Sequence, residues 1–346
     1  MWRDIKVYEG LYEINENAVV RRVDGTGIDG RKVSTHVVVS SRTKKGTRYI
    51  ALWKEGGRRT YMLHKLYATA FQMSENEAIR RLYRGFNGNG EAIHNVCGTL
   101  LESLKIYEKA AANGKRCQAL CQAKNHALVM EDCALERTVA GVINSAFGCA
   151  GQRCMALSCC VVQDSIADAF VAELKKQAEK VNCGPAWDKS SRLGPITYEK
   201  HYKEVLADID KGVAEGATLV LDGRNTVVEG YENGYFVGPT IFDHVTADMT
   251  IGDEEVFGPV LCIKRCKDFE EGLAIMNANP YANGSVIYTQ SGYYAREFAR
   301  RTDGGQVGIN VGIPVPVGFI PFSGHKKSFF GDLHCLGKDA YRFYTE

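Results

Sequence analysis

No run of about 18 uninterrupted apolar residues occurs in the 346-residue chain, so the sequence offers no candidate membrane-spanning helix. Met1-Trp2-Arg3-Asp4 leads into polar sequence rather than an apolar segment with a cleavage site, which argues against a secretory signal and sets the cytoplasm as the expectation. The 12 cysteines include no C-x-x-C pair beside metal-ligand partners and are scattered along a long chain. That distribution argues against a zinc site and against a disulfide scaffold, and most of them read as reduced, buried thiols. Net charge is also small, at +2, yet it conceals an asymmetry. Residues 1–84 hold 17 Lys or Arg against 9 Asp or Glu, net +8, while the remainder is net −6.

What is present is enough apolar material for a sizeable core, 45% of residues, in a chain long enough for two domains or more. The stretch most suggestive of chemistry runs from Asn144 to Gln163, N-S-A-F-G-C-A-G-Q-R-C-M-A-L-S-C-C-V-V-Q. Small residues and glycines make a tight approach, and Gly151-Gln152-Arg153 presents Cys154 ahead of the apolar run Met155 to Val162. A thiolate is the nucleophilic form of cysteine, favoured by backbone N–H groups, a nearby cation such as Arg153, or a helix N-terminus. A cysteine beside apolar residues is also a common small core residue. On this stretch alone both readings stand.

Other segments bear on that choice. Asn113-Gly114-Lys115-Arg116, Ala123-Lys124-Asn125-His126 and Gly151-Gln152-Arg153-Cys154-Met155-Ala156 resemble the CoA-acylating methylmalonate-semialdehyde dehydrogenases. Gly234 to Thr240 (G-Y-F-V-G-P-T), Glu254 to Val260 (E-E-V-F-G-P-V), Asn277 to Tyr281 (N-A-N-P-Y) and Pro314-Val315-Pro316 resemble signatures of the wider aldehyde dehydrogenase superfamily, in the same order. The resemblance covers residues from about 92 to 346. It implies NAD-dependent oxidation of an aldehyde, methylmalonate or malonate semialdehyde, through a thioester on Cys154, with coenzyme A taking the acyl group. It further implies that Glu255 holds the nicotinamide ribose through its hydroxyls and that Phe257 packs on the ring. Gly98-Thr99 matches a strand-to-helix turn beneath the cofactor, which makes Thr99 a candidate phosphate or ribose contact.

Departures from the family pattern accompany the matches. Hydrolytic members carry Glu-Leu-Gly-Gly, whose glutamate activates water, where this chain has Ala119-Leu120-Cys121-Gln122. Loss of that base fits the acylating branch, where a thiol rather than water receives the acyl group. Loss of both glycines places Cys121 and Gln122 against the expected nicotinamide site. The Gly-rich phosphate loop and the Pro-x-Asn-Phe-Pro oxyanion segment are not found, so the chain reads as a C-terminal enzyme portion joined to something else.

That other part, residues 1–72, reads as a small basic β-rich module. Val19-Val20, Val37 to Val39 and Tyr49 to Trp53 are short strands between glycine turns, and Tyr61 to Phe71 has helical spacing. Trp2 to Ile5, Tyr8 to Ile14 and His64-Lys65-Leu66 resemble the module that precedes HNH nuclease domains in homing endonucleases, which implies a DNA-binding accessory. Arg21-Arg22, Lys44-Lys45 and Arg58-Arg59 would then contact phosphates of duplex DNA, or else are solvated loop charges. No histidine-rich segment with metal-site spacing follows, so DNA cleavage is not expected.

Residues 73–91 read as a linker helix with a Ser74-x-x-Glu77 capping pattern. Residues 92–135 are expected to be a remnant of the NAD-binding domain and 136–330 the aldehyde dehydrogenase catalytic domain. Residues 331–346 are expected to form a C-terminal oligomerisation strand, since the tail Ala340 to Thr345 resembles the strand that pairs family subunits. After Cys154 strands and helices alternate, with Tyr235 to Phe242 among the strands and Ile166, Phe170, Leu174 and Val181, then Val205, Ile209 and Val213, spaced along helices, which predicts an α/β fold with a largely parallel sheet. The expected partners are a small aldehyde and further copies of the chain, with no membrane. A second reading, a DNA-binding or interaction protein carrying a relic dehydrogenase domain, remains open from sequence.

Overall fold

A computed structural model describes residues 2–5, 12–15, 20–23, 25–26, 32–33, 36–38, 41–42, 48–54, 57–62, 92–97, 100–315, 317–322 and 324–345. The chain divides into two compact units, Met1–Glu91 and Ala92–Glu346.

In the first unit, Trp2–Asp4, Tyr12–Asn15, Val20–Arg22 and His36–Val38 form a four-stranded antiparallel sheet. Tyr12, Ile14 and Val20 are buried, while Glu13 between the first two is half-buried, the alternation of a strand with one covered face. Across that pair, Arg21 and Glu13 lie directly opposite and form an ion pair at 2.7 Å. One cation of the Arg21-Arg22 pair is therefore already neutralised within the sheet. Ser41–Arg42, Arg48–Lys54 and Gly57–Met62 make a three-stranded antiparallel sheet. Tyr61 and Met62 thus close a strand rather than open the helix expected there. With Ile50 and Tyr49 of the neighbouring strand opposite them, β-favouring residues take the ladder instead. Residues 63–71, the linker helix and Lys44-Lys45 lie outside the described residues.

The second unit opens with Ala92–Cys97, the helix Leu100–Ala112 and the parallel strand Arg116–Leu120, a β-α-β unit. Phe329–Gly331 pairs antiparallel with its last strand. The main sheet has seven strands in the order Thr218–Leu221, Thr240–Asp243, Val260–Cys266, Leu157–Gln163, Asn125–Val129, Gly284–Tyr288 and Gln306–Ile309. Only the first pair is antiparallel. Both faces are covered, and alternate residues show it. Ala127 and Val129 pack with Val139, Phe170 and Val205 of three helices, while Leu128 packs on Phe269, Leu273 and Phe298 on the other side. The helical stripes expected from spacing therefore form. Val205 and Ile209 of the helix Glu199–Ala214 are fully buried, as are Phe170 and Leu174 of Asp164–Ala178. The α/β class and the mostly parallel sheet are as the sequence predicts.

Two expectations are corrected. The strand expected over Tyr235 to Phe242 is confined to Thr240–Asp243. Gly238 lies against Gly223, to whose carbonyl it donates at 2.9 Å, and Pro239 has no N–H to offer a ladder. The tail is the second. Gly337–Thr345 is an α-helix, not an oligomerisation strand. Its Phe343 is fully buried under the Arg116 guanidinium, 5.0 Å above the ring, while Tyr341 two residues earlier is exposed. This one-sided docking rewards a helical rather than an extended tail. Among the described residues no helix is long and apolar enough to cross a membrane.

Candidate active site

The helix Leu135–Phe147 runs into a short 3-10 turn, Gly148–Gly151, in which three successive residues adopt left-handed backbone. Cys149 has φ 53°, Ala150 φ 54° and Gly151 φ 67°. Glycine takes this conformation freely, but each of the other two costs about 1–2 kcal/mol, so the surroundings must hold the turn in place. Gly151 is required for a second reason. A Cβ there would overlap the carbonyl oxygen of Gly258, because the nucleophile loop lies directly on the Glu254 to Pro259 segment. Beyond it, Ala156 N–H donates to Arg153 O at 3.0 Å and closes a turn whose second position is Cys154. Cys154 is exposed, and it precedes a strand rather than starting a helix. The Arg153 guanidinium lies over Gly148, 2.8 Å from where a Cβ would stand.

Side-chain amides fix the Cys154 peptide. Asn125 Nδ2 donates to Cys154 O at 3.0 Å and to Ala156 O at 2.8 Å, and Asn283 Nδ2 donates to Cys154 O at 2.9 Å. Asn125 Oδ1 in turn accepts from Gly284 N–H at 2.8 Å. The preceding residue, Lys124, is buried and donates from Nζ to Ile251 O and Glu254 O, each at 2.8 Å. Two consecutive residues at the mouth of a central strand therefore hold both loops. Family resemblance marks Ala123-Lys124-Asn125-His126 without assigning any of them a role. Polar residues opening an otherwise apolar strand are the signal that was available. Next in line, His126 is buried with Nδ1 2.6 Å from Lys124 O, and burial followed by the nearby Lys264 charge lowers its pKa to about 3. It is a neutral ring at physiological pH.

Cys154 lines a cavity of 220 Å³ together with Leu120, Cys121, Asn283, Phe322 and Cys335. A larger groove, 820 Å³, follows the helices Leu135–Phe147 and Asp164–Ala178, and its lining includes neither Cys154 nor Glu255. The smaller cavity is the one at the candidate nucleophile. Cys121 thus lines the same cavity as Cys154, while Gln122 points to the Tyr281 hydroxyl, 3.2 Å away. The other cysteines near in sequence are poor rivals. Cys159 and Cys160 are fully buried, and burial pushes the Cys159 thiol up to about 12 and Cys160 well above its ordinary value. Cys149, exposed in the left-handed turn, is the real competitor.

On the adjoining segment Glu255 is half-buried and Phe257 is exposed at φ 54°, with its carbonyl 2.9 Å from His201 Nε2. An exposed aromatic face and a carboxylate beside it suit a flat ring and a sugar diol, so these residues fit a nicotinamide nucleoside. Burial raises the Glu255 pKa to about 7, against the opposing Ala123 N–H and the Lys124 charge. A carboxyl raised in the folded state stabilises fully below the unfolded value of 4.5, and that contribution is lost as pH climbs through about 7. Glu255→Gln is therefore expected to melt higher than the unsubstituted chain at pH 8.5, by roughly 1–3 kcal/mol of stability, and to match it at about pH 4, below the unfolded value. Melting curves at both pH values check this; equal curves at pH 8.5 would show an ordinary carboxylate. Thr99 lies outside the described residues, between the strand ending at Cys97 and the helix starting at Leu100.

Comparison with known proteins shows what the second unit resembles. Residues 102–346 match the family model described as "Aldehyde dehydrogenase family". Malonate-semialdehyde dehydrogenase 1 of Oceanobacillus iheyensis is 50% identical over 240 residues, 69% of this chain and 49% of that protein. Among solved structures, methylmalonate-semialdehyde dehydrogenase from Oceanimonas doudoroffii is 40% identical with a TM-score of 0.74, over 82% of this chain and 59% of that one. A betaine aldehyde dehydrogenase double mutant from Staphylococcus aureus, solved with NAD+, is 25% identical with a TM-score of 0.72, over 79% of this chain and 54% of that one. The chain spans about half the length of the curated relatives it matches. It belongs to the aldehyde dehydrogenase family.

Proposed function

We propose that this chain carries the acyl-transfer centre of an NAD-dependent, coenzyme A-acylating aldehyde oxidation, with Cys154 as the nucleophile. The observation that carries the reading is the Cys154 peptide itself. It is exposed at a cavity, and its carbonyl is clamped by two asparagine amides from separate segments. The Cys154 thiolate attacks the aldehyde carbon to give a thiohemiacetal, and loss of hydride from that carbon leaves a thioester. The thiol of coenzyme A then attacks the thioester carbon and expels Cys154. Bound NAD supplies the hydride acceptor; from this chain Glu255 would accept hydrogen bonds from its ribose and Phe257 would lie on its ring, with Thr99 a further candidate contact. Ala119 stands where hydrolytic members have their glutamate and is fully buried, so no carboxylate there activates water. That favours a thioester that waits for a thiol. The names of the relatives support malonate or methylmalonate semialdehyde as the aldehyde. Association of like chains belongs to the same reading, since the edge strand Gln306–Ile309 exposes Val307 and Ile309 and the apolar run continues through Val311 and Val315.

Selective labelling tests it. Brief iodoacetamide treatment at neutral pH, followed by peptide mapping, is expected to mark Cys154 ahead of all other cysteines. Preferential marking of Cys149, exposed in the same loop but outside the amide clamp, would remove the assignment.

A further inference from the structure

The left-handed turn before Cys154 is held from two sides, and one of the two holds has no assigned role. Gln152 bridges to a distant segment through one side-chain amide. Its Oε1 accepts from Thr197 N–H at 3.1 Å and from the Thr197 hydroxyl at 3.2 Å. Its Nε2 donates to Pro195 O and back to Cys149 O, both at 3.3 Å. Thr197 sits just ahead of the helix Glu199–Ala214, and from the first turn of that helix His201 reaches Phe257 O. Phe257 is followed by Gly258, the residue on which Gly151 rests. The contacts therefore close a ring: Gly151 on Gly258, Phe257 to His201, along the helix to Thr197, and through Gln152 back to the residue after Gly151.

We infer that Gln152 is a positioning residue, which latches the strained nucleophile turn to the Thr197 segment and so keeps Cys154 in register with the Glu255 to Phe257 loop. This rests on the reading of Cys154 as nucleophile. The physical case is a balance. Two non-glycine residues, Cys149 and Ala150, stand in left-handed backbone, and the turn relaxes unless other bonds oppose it. Single exposed hydrogen bonds contribute little, but four on one planar amide act together and are lost together. Gln152 lies two residues from Cys154, so a relaxed turn moves the thiol directly. Displacements of an ångström at a reacting group cost up to about a hundredfold in rate.

The experiment compares the unsubstituted chain, Gln152→Ala, Thr197→Val and the double variant. Each is followed by the rate of Cys154 acetylation with p-nitrophenyl acetate, by the ratio of Cys154 to Cys149 iodoacetamide labelling, and by melting temperature. Gln152→Ala is expected to slow acetylation about tenfold and lower the labelling ratio, with little change in melting temperature. Thr197→Val, which removes one hydroxyl at an exposed position, is expected to show a smaller effect of the same kind. The double variant should be no worse than Gln152→Ala alone, because both changes break one latch. Unchanged acetylation in Gln152→Ala, or additive effects that follow melting temperature with a constant labelling ratio, overturns the latch while leaving Cys154 as nucleophile. An unsubstituted chain whose Cys154 does not acetylate overturns the nucleophile reading and the latch with it.

Discussion

Cys154→Ala is expected to bring acetyl transfer from p-nitrophenyl acetate to coenzyme A down to the rate seen without protein, a loss of at least about a hundredfold. The size follows from Cys154 being the exposed thiol whose peptide is held by the Asn125 and Asn283 amides, whereas Cys149, its exposed competitor, lies outside that clamp. Cys159 and Cys160 are sealed in the core with thiols pushed upward by burial, Cys262 and Cys266 likewise, and Cys117 is buried on the strand Arg116–Leu120. Cys121 and Cys335 line the same cavity, each set by other bonds. The Cys121 backbone donates to Ser328 O at 2.9 Å, and the Cys335 thiol lies 3.6 Å from Gln118 Oε1. Neither has its peptide held by the Asn125 and Asn283 amides. The variant should melt like the unsubstituted chain, since an exposed thiol contributes little to the core. Residual transfer above a tenth of the original rate would mean that another thiol carries the acyl group.

The second large effect is on stability. Gly151→Ala is expected to destabilise the second unit by about 3 kcal/mol or more and to lower its melting temperature by roughly 6–12 °C. Two terms add here. An L-residue at φ 67° costs about 1–2 kcal/mol, and the new methyl group meets the Gly258 carbonyl, which is backbone and cannot rotate aside. Nor can the segment retreat easily, because Lys124 holds Glu254 O and His201 holds Phe257 O. Gly114 provides the control, with φ 62° and nothing within 4 Å of the added methyl group. Gly114→Ala should show the conformational term alone, about 1 kcal/mol. Equal losses for the two variants in thermal melts would show that the loops are not in close contact, and the account of how the nucleophile loop is seated would fail.

Sequence spacing made the framework readable where burial is regular. The stripe Phe170 and Leu174 and the strand Leu157–Gln163 are what their apolar patterns indicate, because a helix or strand with a covered face repeats its apolar residues at a fixed period. Where pairing decides, local pattern is insufficient. Tyr61 and Met62 follow the neighbouring strand, and the aromatic-rich tail folds as a helix because Phe343 finds a pocket under Arg116. Family resemblance singles out the loops that bear Cys154, Glu255 and Phe257, and the fold brings those loops together at Gly151 and Gly258. The amide clamps of Asn125 and Asn283 and the latch at Gln152 were not legible, since they join residues 29, 129 and 45 positions apart in the chain. The strain at Cys149 and Ala150 was hidden for a different reason: neither residue type announces a left-handed backbone.

The central claim, that Cys154 forms an acyl thioester which waits for a thiol, is tested most directly by mass spectrometry of the chain after p-nitrophenyl acetate. The account predicts one acetyl group, on the peptide bearing Cys154, that persists in buffer and departs on addition of coenzyme A as acetyl-coenzyme A forms. An acetyl group on Cys149, or one released as quickly by water as by coenzyme A, would contradict it.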